Sequence, residues 1–229
     1  RKFLNVHSSL YRFGALDVCK GYRAESDGEI IDYGFDFYAP QTFTQTPVMI
    51  GWLDMWDRAN PTKQFGFAGQ LTVPRCLTRK GTKLLQRPVY DKKAVRSEEN
   101  FTTLSDHLLI GAVKVQAKGL SDFSVHLRKA GENETLFELK DEEWVFDRSR
   151  SGTPISGAEK DADSLAGIRR MPFERSEETE IEIVSDQFYL EIFVNGISMS
   201  NVICPPLGAD GLELSISARS CQYTRYEIK

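Results

Sequence analysis

Leu212-Glu-Leu214-Ser-Ile216-Ser-Ala218-Arg219 alternates apolar and polar residues without exception, so every second side chain falls on one face. A period of two belongs to a half-buried strand, because successive strand residues point to opposite faces of the sheet. Phe123-Ser-Val125-His-Leu127-Arg128 repeats the pattern, as does Ile181-Glu-Ile183. Phe188 to Asn195 puts Phe188, Leu190, Ile192 and Val194 on one face, with Tyr189, Glu191 and Phe193 on the other. Strands of this length, arriving about every ten residues, predict an all-β protein with a β-sandwich in its second half.

Composition shifts once. Pro88 to Asn100 (PVYDKKAVRSEEN) is polar and lacks clear alternation, so residues 89–99 are expected to form a linker with one or two helical turns. The 100–229 segment then offers eight or nine candidate strands, enough for a two-sheet sandwich with its own core. Within it Ser149 to Met171, with Gly152, Gly157 and Gly167, is expected to be a surface loop. Residues 1–88 hold about six candidate strands but no evident way to close them, and a propeller blade needs neighbours to cover its faces.

The 29 basic and 33 acidic residues give a net charge of −4 and are interspersed. No basic block argues for nucleic acid, which is gripped by positive charge concentrated on one face. The longest apolar runs, such as Val48 to Leu53, fall far short of the roughly 20 residues that cross a bilayer. No apolar leader is present, and because the chain opens on Arg1 that says little about export. Cys19, Cys76, Cys204 and Cys221 are irregularly spaced, and His7, His107 and His126 stand at no metal-ligand spacing from them. Free, mostly buried thiols in a reducing, cytoplasmic setting are expected, with no metal and no cofactor.

The stretch Asp32-Tyr-Gly-Phe-Asp36-Phe-Tyr38-Ala-Pro-Gln41-Thr-Phe43 resembles the D-x-G-x-D-F-Y-A-x-Q-T-F segment of glycoside hydrolase family 32, the invertases, sucrose-6-phosphate hydrolases, levanases and inulinases. Ile50-Gly-Trp52-Leu-Asp-Met-Trp56 resembles that family's I-G-W-x-x-x-W strand, and Pro61-Thr62 with Gly66 to Arg75 resembles its P-T…L-T-L-P-R run. Gln86-Arg-Pro88-Val, Phe146-Asp147-Arg148-Ser-Arg150-Ser-Gly152 and Leu190-Glu191-Ile-Phe193-Val-Asn195 follow in the same order. Phe67 stands where the family often has Trp, and Cys76 where Glu is common. The resemblance implies the last part of a five-bladed β-propeller over residues 1–88 (the end of blade four and blade five), followed by the C-terminal sandwich.

It also implies a chemistry that these residues do not complete. The family's nucleophilic Asp in N-D-P-N, its transition-state-stabilising Asp in R-D-P and its acid/base Glu in E-C have no counterpart in the chain. Retaining hydrolysis needs two carboxylates about 5–5.5 Å apart across the scissile bond. The expected catalytic set is therefore empty, and the chain is expected to be an inactive fragment of a β-fructofuranosidase acting on sucrose 6-phosphate, sucrose or short fructans. By motif position Tyr38 and Trp56 resemble residues that line the family's fructose pocket. Asp36 could bind a sugar hydroxyl or tie its strand to a loop, the second being favoured, and Trp52 is expected in the core. Asp147-Arg148-Ser149-Arg150 reads as a structural ion-pair network and Asp186 as a turn cap. With no G-x-S-x-G elbow, His107, His126 and the serines do not suggest a hydrolase triad.

The expected partners are a fructoside substrate in the full-length protein and the missing N-terminal blades, with a homodimer through the sandwich left open and no nucleic acid or membrane. Two other classes stay in view. One is a non-catalytic carbohydrate-binding module. The other is a structural sandwich whose blades come from a partner chain.

Overall fold

In the computed structural model, which describes residues 9–228, the strand Gly211–Ser217 buries Leu212, Leu214 and Ile216 and exposes Glu213, Ser215 and Ser217. His7 lies outside the described residues. Alternation of this kind builds two six-stranded antiparallel sheets. In the first the order is Lys92–Glu99, Ser220–Ile228, Gly111–Lys118, Glu178–Asp186, Tyr189–Val194 and Ile197–Val202. In the second it is Thr103–His107, Gly211–Ser217, Asp122–Ala130, Asn133–Lys140, Glu143–Asp147 and Ile168–Pro172. Their facing sides interdigitate around Phe123, Phe137, Trp144, Phe146, Ile183 and Tyr223, all essentially inaccessible to water. Trp144 stacks on Phe137 at 5.1 Å between ring centres, the offset geometry aromatic pairs prefer.

Two expectations need correcting. Residues 92–99 are not a linker with helical turns but a strand paired along its length with Ser220–Ile228. The strand was hidden because it is a sheet edge with nearly every side chain in water, so it needs no apolar face. The segment 149–171 is not all surface loop either: it holds a short helix, Ala162–Leu165, and runs into the edge strand Ile168–Pro172. Ser151 is buried and Ile155 packs against the apolar cluster that contains Leu53 and Val202. The sandwich thus has twelve strands where eight or nine were legible.

Before the sandwich, Tyr38–Thr42, Val48–Leu53, Arg75–Lys80 and Lys83–Pro88 form an antiparallel sheet, with Gln70–Leu71 added beside Val48–Leu53. Four strands meandering outward in sequence order make one propeller blade. Two small ladders precede it, Leu10–Tyr11 with Glu29–Ile30 and Gly14–Asp17 with Gly21–Ala24.

The blade is fastened to the sandwich through Ile31 to Phe37, which runs along the edge strand Ile197–Val202. Tyr33 and Asp36 donate their N–H groups to the carbonyls of Ser198 and Ser200. Gly34 permits this approach, because a Cβ there would collide with the Ser200 backbone. Asp32 accepts from Ser200 N–H and from the Ser198 and Ser200 hydroxyls at 2.7–2.8 Å. This contact explains why Tyr189–Val194 is buried on both faces. Leu190, Ile192 and Val194 enter the sandwich core, while Tyr189, Glu191 and Phe193 lie under the blade.

Candidate functional site

Tyr38 opens the innermost blade strand and pairs across the ladder with Trp52 of the next one. Directly opposed residues share a face, so the two rings meet at 6.3 Å. Trp56, on the loop after Val48–Leu53, closes the group at 5.2 Å from Trp52 and 6.4 Å from Tyr38, each pair edge to face. Trp56 is 80% exposed and Tyr38 39%, so the cluster offers aromatic faces and a phenol to solvent.

The loop carrying Trp56 is fixed from beneath. Asp54 is buried, accepts from Met55 N–H at 2.8 Å and faces the Asn60 amide at 3.4 Å. Asn60 caps the 3-10 turn Pro61–Phe65 by accepting from Thr62 N–H at 3.1 Å. Burial raises the pKa of Asp54 above the carboxylate range, with the Asp36 charge adding to it. Gly69, at φ +73°, lies against the Trp52 indole nitrogen where any side chain would collide.

Asp36 is elsewhere. It is fully buried, with one oxygen 2.9 Å from Arg58 Nε and the other taking Arg148 at 3.1 Å and Val202 N–H at 2.8 Å. Both oxygens thus accept from protein donors that tie this strand to Arg58, Arg148 and Val202. Three arginines crowd this node around the Phe35 ring, with Cζ distances of 3.7 Å for Arg148, 4.2 Å for Arg169 and 5.6 Å for Arg58. Burial pushes Arg148 down to about 10, its neighbours Arg58 and Arg169 adding to the shift while Asp36 opposes it. Arg58 also pairs with Glu159 of the 149–167 loop, which ties that loop to the one carrying Trp56.

A second node, around Arg75, also joins the blade to the sandwich. Arg75, fully buried, reaches Asp32 at 3.0 Å, Glu191 at 2.6 Å, Gln86 at 2.9 Å and the hydroxyls of Ser198 and Ser200 at 3.1 and 2.5 Å. Burial alone would lower its pKa, but Glu191 and Asp32 together hold it above the usual value.

The structure brings Tyr38 and Trp56 together, and Trp52, expected in the core, is half-buried and joins them. The signal that could have found it is the strand register opposite Tyr38. In the Asp147-Arg148-Ser149-Arg150 cluster, Arg148 binds Asp36, Arg150 pairs with Glu134 and Asp147 caps Ser149 N–H. Asp186 ends a strand, its pKa raised by burial against the pull of Arg128. His107, at the end of Thr103–His107, meets Asp210, and His126, in the middle of Asp122–Ala130, meets Glu134. Among the described residues no group of His, Cys, Asp and Glu is arranged to hold a metal. Cys204 and Cys221 are buried, Cys76 is half-buried and Cys19 is exposed, and none is paired.

A cavity of about 1150 Å³ lies away from the aromatic cluster. It opens between the hairpin turn Lys80–Lys83 and the sandwich, lined among others by Tyr33, Asn100, Gln116, Phe173 and Asn195.

Comparison with known proteins accounts for this arrangement. Residues 2–88 match the model of the glycosyl hydrolases family 32 N-terminal domain, and residues 78–229 match that of the family's C-terminal domain. A sucrose-6-phosphate hydrolase of Vibrio alginolyticus is 30% identical over 85% of this chain and 40% of its own length. One from Staphylococcus xylosus is 27% identical over the whole chain and 49% of its own length. Among solved structures, the sucrose-6-phosphate hydrolase of Lactobacillus gasseri superposes with a TM-score of 0.80 at 16% identity, covering 96% of this chain and 47% of that one. The exo-inulinase of Aspergillus awamori gives 0.75 at 20% identity, over 97% and 50%. The chain spans about half the length of these relatives.

Proposed function

Because the chain belongs to glycoside hydrolase family 32, we propose that it forms part of the sugar-binding wall and the accessory sandwich of a retaining β-fructofuranosidase that cleaves sucrose 6-phosphate, sucrose or short fructans. The observation that carries this is the half-open cage of Tyr38, Trp52 and Trp56. Aromatic faces take the apolar C–H side of a sugar ring, and the Tyr38 hydroxyl can donate to or accept from its hydroxyls.

Hydrolysis itself needs a nucleophilic carboxylate and a second carboxyl that protonates the leaving oxygen. None of the N-D-P-N, R-D-P and E-C motifs occurs in these 229 residues, and Asp36 and Asp54 are buried, Asp54 bonded within the blade and Asp36 to donors of both the blade and the sandwich. The chain by itself is therefore inactive and depends on further propeller blades for chemistry. Exposed apolar side chains support the same need: among the described residues, Leu16, Val18, Tyr22, Phe43, Trp56 and Leu71 are all more than half exposed before residue 90, against three such residues in the much longer sandwich. The four unpaired cysteines support a reducing, cytoplasmic setting; among the described residues no helix is long and apolar enough to cross a membrane.

A second reading, a non-catalytic carbohydrate-binding module, draws on the cleft beside Tyr33 and Phe173. One titration separates the readings. Fructose or sucrose added to the chain should change tryptophan fluorescence saturably, and Trp56→Ala should remove the change. Loss through Tyr33→Ala with Trp56→Ala unaffected would favour the module. Release of fructose from sucrose at an enzyme-like rate by the purified chain would refute the assigned inactivity.

A further inference from the structure

Arg128 breaks the alternation of its own strand. In Asp122–Ala130 the residues that enter the core are Phe123, Val125 and Leu127, so Arg128 should join Ser124 and His126 on the other face. It is buried instead. Leu127 and Lys129 stand opposite the consecutive residues Leu212 and Gly211, which makes Arg128 the extra residue of a β-bulge. Its φ of +57° lies in the left-handed region, where a side chain other than glycine is strained. Bulges re-aim side chains, and strained residues of this kind gather at ligand sites.

The guanidinium is incompletely satisfied. Nε donates to the Ala209 carbonyl at 2.6 Å, and Nη1 to the Leu109 carbonyl at 3.2 Å and the Ser185 hydroxyl at 3.3 Å. Arg carries five N–H groups, so the two on Nη2 are left without an acceptor among the described residues. Asp186 and Asp210 act on Arg128 through their charge without forming an ion pair with it, and Asp210 meets His107 instead. Burial pushes the Arg128 pKa down to about 10, which still leaves it charged at neutral pH.

Arg128 also walls a cavity of about 240 Å³, together with Leu109, Phe188, Pro205, Pro206 and Leu207. Its lining is apolar apart from this guanidinium and the Gln187 amide. An apolar cavity of about 150 Å³ suffices for benzene, so a ring bearing a short acid fits here. A phosphate suits the site less. Asp186 and Asp210 would repel its second charge, and apolar walls would leave its remaining oxygens without donors.

We propose that this cavity binds a small organic monocarboxylate, whose carboxylate accepts from Arg128 Nη2 while its apolar body packs on Leu109, Phe188, Pro205 and Leu207. The ligand would supply the negative partner that the buried guanidinium lacks, through a charge-assisted hydrogen bond.

Calorimetric titration of the full chain with phenylacetate at neutral pH tests this. Binding should be saturable at one site. Phenylacetamide, with the same shape and no charge, should bind roughly tenfold more weakly, and inorganic phosphate more weakly still. Arg128→Gln should abolish binding, but it also strips donors from two carbonyls and a hydroxyl and could unfold the chain. Leu207→Glu avoids that difficulty, because Leu207 is exposed and its replacement should melt like the wild type. A carboxylate there should weaken phenylacetate about tenfold by repulsion or by occupying Arg128 itself, while Leu207→Gln should bind within about threefold of wild type. Trp56→Ala should change nothing. Absent binding, phenylacetamide or phosphate binding as well as phenylacetate, an unaffected Leu207→Glu, or loss through Trp56→Ala would each overturn the proposal.

Discussion

Arg75 and Glu191 meet at 2.6 Å with both side chains removed from water, one in a blade strand and the other in a sandwich strand. The guanidinium also holds Asp32, Gln86 and two serine hydroxyls. Arg75→Ala leaves the buried Asp32 and Glu191 carboxylates without their positive partner, and stranding a buried charge costs about 3–5 kcal/mol. Arg75→Lys should rescue little, because a single ammonium cannot reach so many acceptors in the planar fork that Arg supplies. Urea unfolding measures both, and a loss under about 1 kcal/mol for Arg75→Ala would contradict the assignment.

The second node gives a matching expectation. Asp36→Asn keeps the shape but strips the negative charge from between Arg58 and Arg148, so stability should fall by roughly 3 kcal/mol. If Asp36 instead touched sugar, the substitution would weaken the fluorescence response to fructose at unchanged stability. Measuring the two together distinguishes them.

These nodes also show what the sequence could and could not reveal. The D-x-G-x-D-F-Y, P-R, F-D-R-S-R and L-E-I-F-V-N segments stood out as separate signatures, and the structure makes them two contacts: Asp36 with Arg148, and Arg75 with both Asp32 and Glu191. Partnership over such separations leaves no local trace, so the charges were visible and their pairing was not. Strands with an apolar face, such as Gly211–Ser217, were legible because burial imposes the period. Lys92–Glu99 was not, because a solvated edge is held by its backbone and asks nothing of its side chains. Trp52 was misplaced for a related reason: alternation says that it shares a face with its neighbours two positions away, not that this face is open.

Asp54 should leave a signature in pH. Burial raises its folded pKa above the unfolded value near 3.8, so the folded state holds the proton longer. Its contribution is full below the unfolded pKa and is lost as pH rises through the folded one. Asp54→Asn keeps an acceptor for Met55 N–H and cannot ionise. The stability of the variant relative to wild type should therefore grow as pH is raised from 4 towards neutrality and then level off. A difference independent of pH, followed by urea unfolding at each pH, would remove Asp54 as the source.

Tyr189 carries a buried hydroxyl that has no hydrogen-bond partner among the described residues, and burial raises its pKa. An unpaired buried hydroxyl costs about 1–3 kcal/mol. Tyr189→Phe removes it without opening a cavity, so the variant should gain about 1 kcal/mol and melt a few degrees higher. A lower melting temperature would mean that the hydroxyl is satisfied by a water that the variant loses.

Trp52 and Trp56 touch each other, yet their truncation should have opposite profiles. Trp56 is 80% exposed, so Trp56→Ala should change stability by no more than about 0.5 kcal/mol while removing the face offered to a sugar. Trp52 fills the space over Gly69 and meets Tyr38 across the ladder, so Trp52→Ala should cost on the order of 3 kcal/mol and disturb Tyr38 as well. Melting curves and fructose titrations on both variants check this. The informative outcome is Trp56→Ala: loss of binding in a protein that unfolds like the wild type can only come from the surface of the cage. Binding that survives it would move the sugar site away from these rings.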